Sequence, residues 1–364
     1  MSVLLRFRGE RTRRRAFCGA SLLMLAAILM LTGIGYSAAA GPYQVVEFGS
    51  LPQGTSFVIR GFNDAGQLVG GSISFGVGHR GFLLTATRLE QIAGLPGTDH
   101  STAFGINLGG EIVGASNSST SLRAFRWTVS TGSQDLGTLP GDTGSAAYGI
   151  NRRGDVAGFS SGANGVRAVT WTKDGTIRNL GVLPGGDHSR AFAINERGDA
   201  AGTSGSPSGA RAVVWRGGII QDLGVLSGDS HSEAVAINNV GEAVGRSNSG
   251  AASRAVLWTA SGAIRSLGTL PGGLYSRAFA LNEPGDVVGT SGSPRGPRAV
   301  LWTSTGGMQD LNDAIPAGSG VVLVAAVAIN NAGVIVAIGH DDDGSDGHDH
   351  RDHEAPVRVL MLVP

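Results

Sequence analysis

Cysteine is almost missing from this chain. Of 364 residues only Cys18 is a cysteine, and it lies in the leader segment described below. The rest of the chain therefore forms no disulfide and offers no thiol chemistry; its stability must come from packing. Lysine is as scarce, with Lys173 alone. No nucleophile elbow, phosphate-binding glycine loop or zinc-protease helix motif occurs. Nor does any apolar run reach the roughly 20 residues that a membrane-spanning helix needs.

The longest mostly apolar run, Ala20 to Ile34, follows Arg6, Arg8, Arg11, Arg13, Arg14 and Arg15 and precedes Ser37-Ala38-Ala39-Ala40. A basic start, an apolar middle and small residues before a cut is the order of a secretory signal. Residues 1–40 are expected to be a signal peptide. The mature chain is then secreted, extracellular or periplasmic, with no membrane span after cleavage. Cleavage removes six arginines and one glutamate from 28 basic and 28 acidic residues, leaving 22 and 27, a net charge of about −5. That balance argues against nucleic acid as the partner.

What the remaining chain has in abundance is repetition. Asn-x-x-Gly occurs at Asn63, Asn107, Asn151, Asn195, Asn238, Asn282 and Asn330, in steps of 44, 44, 44, 43, 44 and 48. Trp127, Trp171, Trp215, Trp258 and Trp302 recur with the same period, with Leu84 and Leu362 at the outer equivalents. Four residues before each stands an arginine: Arg80, Arg123, Arg167, Arg211, Arg254, Arg298 and Arg358. A Leu-Gly-x-Leu-Pro-Gly segment begins at Leu136, Leu180 and Leu267, with looser forms elsewhere.

Each unit holds four short apolar runs between turn residues. In the sixth they are 276–281, 286–290, 298–303 and 308–311. Runs this short, bounded by Gly, Pro, Asn and Ser, are strands. They are near-continuously apolar, so both faces are buried. Seven four-stranded units of about 44 residues predict an all-β, seven-bladed β-propeller over residues 41–364. A solenoid is the rival and would need capping ends. The ends here are complementary instead. The N-terminal strand 43–48 lacks a blade, and the last unit lacks a fourth strand, so the two are expected to close the ring.

The repeats resemble the bacterial HAF-repeat family. The matching pieces are Arg-Ala-Phe at 123–125, 190–192 and 277–279, Asp-Leu-Gly at 135–137 and 222–224, and Ile-Asn at 106–107, 150–151, 194–195 and 237–238. The resemblance covers Tyr43 to Leu362, with Arg where the family name has His. It implies export and a repeat fold, and it carries no catalytic residue to transfer.

The recurring polar residues read as scaffold. Glu111, Asp155, Asp199, Glu242 and Asp286 follow the turn glycine; paired carboxylates suit a glycosidase, but a catalytic centre is unique and these repeat. The arginines are expected to bond loop carbonyls over buried stems, and the tryptophans to pack the core. Alternating strand direction puts the second-to-third and fourth-to-first connections on one face. The segments 115–122, 159–166 and 246–253 there vary as loops. His100, His188, His231 and Tyr275 occupy equivalent places on that face, with Asp99 and Asp187 beside two of them. A ligand, glycan or protein, is expected to meet this face.

The last unit carries an insertion, "HDDDGSDGHDHRDHE", at 340–354. Its aspartates miss the calcium-loop spacing. His348, His350 and His353 suit a loose transition-metal site, weak and pH-dependent because the imidazoles must lose their protons. No other cofactor is expected. The resulting expectation is an exported, monomeric, non-enzymatic binding or structural module. A polysaccharide-degrading hydrolase or lyase on the same scaffold is the alternative.

Overall fold

A computed structural model describes residues 43–47, 55–74, 78–117, 121–250, 252–342 and 357–364. The expected leader, 1–40, and most of the His/Asp-rich insertion lie outside them. All regular structure among the described residues is strand. No helix there is long and apolar enough to cross a membrane.

Twenty-eight strands form seven four-stranded antiparallel sheets. Six are simple meanders, spanning 55–92, 100–135, 142–181, 189–222, 231–266 and 276–310. We number these blades I to VI. Blade VII takes three strands from 321–363 and its outermost strand from Gln44–Glu47. Val45 stands opposite Leu362 and Val46 opposite Met361. The first strands of successive blades touch, blade VII against blade I included. The chain is a closed seven-bladed β-propeller, with its first strands innermost.

Turn chemistry sets the blade outline. In Asn-x-x-Gly the Asn107 carbonyl accepts from Gly110 N–H at 3.1 Å, and Gly110 has φ 77°. This is the type I turn followed by a left-handed residue that closes three-residue hairpins. In Leu-Pro-Gly the Leu95 carbonyl accepts from Thr98 N–H at 3.1 Å, with Gly97 at φ 78°. Pro second and a left-handed Gly third make a type II turn between blades.

Two sequence expectations need correction. The segments 159–166 and 246–253 are mostly strand: Val156–Gly162 pairs with Gly165–Trp171, leaving only Ala163 and Asn164 as the turn. Segment 115–122 likewise begins within Ile112–Asn117 and ends on Leu122–Thr128. Ladder hydrogen bonds carry the hairpins outward through Gly- and Ser-rich stretches whose own β-propensity is low. For the same reason His340 and Asp341 belong to the strand Ile335–Asp341 and not to the insertion.

There is no single core. Each of the seven clefts between neighbouring blades has its own apolar cluster, the VII–I cleft included. In the III–IV cleft, Ala157 and Ala168 meet Ala191, Ala200, Val213 and Trp215. Trp171, Trp215 and Trp258 are at most 1% exposed, so they are packing residues, not surface platforms for sugars. Small residues allow this fit. A Cβ on Gly158 would collide with the Ala146 carbonyl and with the Trp171 ring.

Candidate functional site

The repeated polar residues hold blades together. Each turn asparagine is at most 7% exposed. The amides of Asn63, Asn107, Asn151, Asn195 and Asn282 each donate to the backbone carbonyl of the next blade's asparagine at 3.0–3.3 Å. Asn107, Asn151, Asn195, Asn238 and Asn282 also donate to the carboxylates of Glu111, Asp155, Asp199, Glu242 and Asp286. Those acids therefore brace the ring, and Glu111 also meets Lys173 of the next blade at 3.6 Å.

A serine clip was not visible in the sequence. Ser101, Ser145, Ser189, Ser232 and Ser276 each accept from a third-strand N–H of the preceding blade at 2.9–3.0 Å. A second set, Ser116, Ser160, Ser204, Ser247 and Ser291, accepts from the leucine N–H of the interblade turn at 2.9–3.0 Å. The arginine markers divide between loop carbonyls, as expected, and carboxylates, with Arg123 on Asp135 at 2.8 Å and Arg358 on Glu47 and Asp341. Arg80 and Arg167 donate to the carbonyls of Asp99 and Asp187, and Arg254 to Ser227 and Asp229.

With these residues occupied in scaffolding, the asymmetric side chains stand out, and the axis collects them. In every first strand the pairing register slips at the residue three before the asparagine, and in blades III and VII it slips a second time nearer the strand's start. A bulge re-aims the side chain at the extra residue. The seven re-aimed residues are Arg60, Phe104, Tyr148, Phe192, Val235, Phe279 and Val327. None is fully buried, and as equivalent positions of the seven innermost strands they make up one tier, the collar, with Val327 packed toward the VII–I cleft. Phe104 meets Tyr148 with centroids 5.1 Å apart, Tyr148 meets Phe192 at 5.5 Å, and the Arg60 guanidinium lies over Phe104 at 5.7 Å.

Period two along the strand places a second layer nearer the variable face. Ser189 and Ala191 are buried while Arg190 is not, and Ser276 and Ala278 flank Arg277 in the same way. This layer holds Arg190, Glu233 and Arg277. Arg190 lies 5.5 Å over the Phe159 ring, and Glu233 pairs with Arg246 at 2.8 Å. Arg60 is reached by solvent, yet surrounding protein removes enough hydration to lower its pKa, opposed by Tyr148. Burial raises the Tyr148 pKa, and the charges of Arg190 and Arg60 pull against it. Both arginines thus act on one tyrosine.

Two residues further out, at the mouth, stand the sequence candidates His100, His188, His231 and Tyr275. His188 holds Asp187 at 2.6 Å, and that hydrogen bond first, then a backbone one, holds the Asp187 carboxyl below its ordinary range. His231 meets the Ser230 hydroxyl at 2.7 Å. His100 packs edge-on against His79 at 5.3 Å, an aromatic partner the sequence did not suggest. Tyr275 lies against Gly292, so a Cβ there would meet its ring at 2.9 Å. Among the described residues no hydrogen bond or ring contact joins two of the four to each other. Beside Tyr275, Leu274 is 88% exposed. His348, His350 and His353 lie outside the described residues, within which no group of three potential metal ligands occurs.

No protein-family model matches the chain, and no curated protein matches it either. Solved structures do. A catalytically inactive virginiamycin B lyase from Staphylococcus aureus, with quinupristin, is 15% identical over 88% of this chain and 100% of that one, with TM-score 0.53. Oligogalacturonate lyase from Vibrio parahaemolyticus is 12% identical over 90% and 99%, with TM-score 0.51. TolB from Acinetobacter baumannii is 11% identical over 66% of this chain, with TM-score 0.47. The chain spans about three-fifths of TolB's length, 62%. Identities this low show the β-propeller scaffold alone.

Proposed function

We propose that the chain is an exported, non-enzymatic binding module of the HAF-repeat kind, meeting a glycan or protein ligand on its variable face. One observation supports this reading above others. The polar residues that recur from blade to blade are engaged in tying blades together, and the residues that differ gather at the axis and at one mouth. That distribution suits a rigid frame carrying one asymmetric recognition surface. A lyase or hydrolase built on the frame is the competing reading.

A binding screen of the mature chain against glycans and peptidoglycan fragments, with turnover followed in parallel, separates the two. Binding without turnover is the expected result, and substituting His188, His231 and Tyr275 together by Ala should weaken it about tenfold or more. Turnover abolished by any mouth substitution would establish an enzyme instead. Unchanged affinity in the triple variant would move the ligand away from this mouth.

Export carries its own test. Intact mass measurement on protein recovered from the native host should show a chain beginning near Gly41. Cytoplasmic protein that keeps Met1 to Ala40 would refute export.

A further inference from the structure

We infer that the mouth of blade VI is a docking patch for a segment of a partner polypeptide that presents an apolar side chain beside a carboxylate. The inference rests on the binding-module reading and narrows its place and its ligand class. Blades IV and VI supply the comparison that carries it. Both have the same interblade turn and the same second-to-third hairpin, 183–188 with 204–211 and 270–275 with 291–298. These segments differ only at Asp187 against Leu274, His188 against Tyr275, Ser208 against Arg295 and Ala210 against Pro297.

The backbones of the two mouths agree closely. Gly186 N–H donates to the Leu183 carbonyl at 2.9 Å, and Gly273 N–H to the Leu270 carbonyl at 2.8 Å. Gly205 N–H donates to the His188 carbonyl at 2.8 Å, and Gly292 N–H to the Tyr275 carbonyl at 2.9 Å. A Cβ on Gly185 would meet Pro207 at 2.8 Å, and one on Gly272 would meet Pro294 at 2.8 Å. A Cβ on Gly205 would meet the His188 ring at 2.9 Å, and one on Gly292 the Tyr275 ring at 2.9 Å. One frame thus holds either set of side chains, and what the differences change is the surface.

On blade IV that surface is polar. The Asp187 side chain is 89% exposed and holds His188, and Ser208 is exposed at the hairpin tip. On blade VI the place of Asp187 goes to Leu274, at 88% the most exposed large apolar side chain among the described residues. Pro271, Pro294 and Pro297 are exposed on the same turn and hairpin, and Pro294 abuts the turn at Gly272. A single exposed leucine needs no explanation, but an apolar surface that runs from a turn onto the neighbouring hairpin marks a contact region. The charge reverses as well. Segments 270–275 and 291–298 contain no acidic residue, and Arg295 stands exposed between Pro294 and Pro297. An occupant must therefore cover apolar side chains and bring a carboxylate to the guanidinium edge, which takes planar two-oxygen groups best. A polypeptide supplies both within a few residues. The hydroxyls of a sugar find no hydrogen-bond partner on leucine or proline side chains. The apolar contact then gives affinity, and Arg295 selects for acid.

The probe is a random dodecapeptide library displayed on phage and selected on the chain that begins at Gly41. The parent should enrich peptides with Asp or Glu beside Leu, Ile or Phe. The matched variant combines Leu274→Asp, Tyr275→His and Arg295→Ser, the residues that blade IV already holds on the same backbone, so its melting point should stay close to that of the parent. A synthetic peptide of the enriched sequence, followed by fluorescence anisotropy, should bind the parent one-to-one and the variant at least about tenfold more weakly. Exchanging the peptide's carboxylate for an amide should weaken its binding to the parent several-fold and leave its binding to Arg295→Gln unchanged. Enrichment without an acidic and apolar pair overturns the inference. So does equal affinity for the parent and the folded variant. Leu274-dependent binding to vesicles of phosphatidylglycerol and phosphatidylcholine, with no peptide enriched, also overturns it and gives the patch to a membrane surface. Failure here with glycan binding retained leaves the binding-module reading standing. Glycan turnover in the separate screen would instead overturn the non-enzymatic reading and leave the peptide comparison standing.

Discussion

A chain that starts at residue 48 should melt about 10 °C below one that starts at residue 41 and associate into larger species. The segment it lacks is short, but its place in the ring is particular. Gln44–Glu47 supplies the fourth strand of blade VII, paired over four residues with Val357–Val363. Tyr43 N–H donates to the Ala314 carbonyl at 2.7 Å, and Tyr43 and Val45 pack on the VI–VII cluster. Glu47 pairs with Arg358, which also holds Asp341 at 2.9 Å. Two half-buried apolar side chains and a four-residue ladder amount to about 3–5 kcal/mol. For a domain of this size each kcal/mol moves the melting point by roughly 2–4 °C.

The second consequence is an edge. Leu360 and Leu362 are fully buried, and Val359, Met361 and Val363 nearly so. Stripped of its partner, that strand presents a row of unpaired N–H and C=O groups along an apolar run, a template for pairing with another chain. Calorimetry and size-exclusion chromatography test both parts. Re-attaching 43–47 through a short turn after Pro364 should restore the melting point and the monomer peak, because the strand then reaches the same edge. A truncated chain that melts like the parent and stays monomeric would show that the first strand is dispensable.

The markers that made the ring legible in sequence are those with one geometric cause per blade. Asn begins the first hairpin turn of every blade, Arg stands four residues before Trp or, in the outer two units, Leu on every third strand, and seven copies give seven blades. The complementary ends gave the closure. The collar was not legible, for a physical reason. Its members are Arg60, Phe104, Tyr148, Phe192, Val235, Phe279 and Val327, which share no side-chain property. They share a backbone irregularity, and a bulge has no residue signature when the bulged residue is free to vary. The usable hint was the residue before each: alanine in six of seven units, Ala103, Ala147, Ala191, Ala234, Ala278 and Ala326. Small residues pressed between blades, each followed by an unconstrained one, would have marked where the chain turns to the axis.

His100, His188, His231 and Tyr275 were legible as equivalent positions, because spacing from the asparagine is all that equivalence requires. Their chemistry was legible only in part: Asp187 stands next to His188 in the sequence, whereas the partner of His100 is distant in sequence and a serine beside His231 gives no signal by itself. His79 lies against His100 from another blade. The Asp187 carboxylate and the Ser230 hydroxyl engage His188 and His231. The clip serines escaped notice because serine is abundant in turns, where it signals nothing.

Replacing Asn195 should show what the asparagine ring contributes. Its amide N–H groups donate to the Asn238 carbonyl at 3.0 Å and to Asp199 at 3.3 Å. Its carbonyl accepts from the N–H groups of Arg197 and Asp199 at 3.0 and 2.9 Å. The residue is 5% exposed, so water cannot replace these partners in Asn195→Ala. With about 1–3 kcal/mol for each stranded buried group, the loss should be about 3–5 kcal/mol, or roughly 10 °C in melting point. Asn195→Asp is the sharper variant. A carboxylate still accepts the two N–H bonds, but it faces the Asn238 carbonyl and the Asp199 carboxylate, where only a donor fits. Burial and that like charge raise the folded pKa of the new group above its unfolded value of about 3.9. A raised folded pKa means the protonated form is the one the fold prefers. The stability it brings is fully present below the unfolded pKa and is lost as pH rises through the folded one. Relative to the parent, Asn195→Asp should therefore be mildly destabilised near about pH 4 and severely near about pH 7.5, while the Asn195→Ala penalty stays nearly constant. Melting curves of the three proteins at both pH values decide it. A penalty for Asn195→Asp that does not grow with pH would mean the donor bond to the next blade carries no weight, and the ring would be held by apolar clefts and serine clips alone.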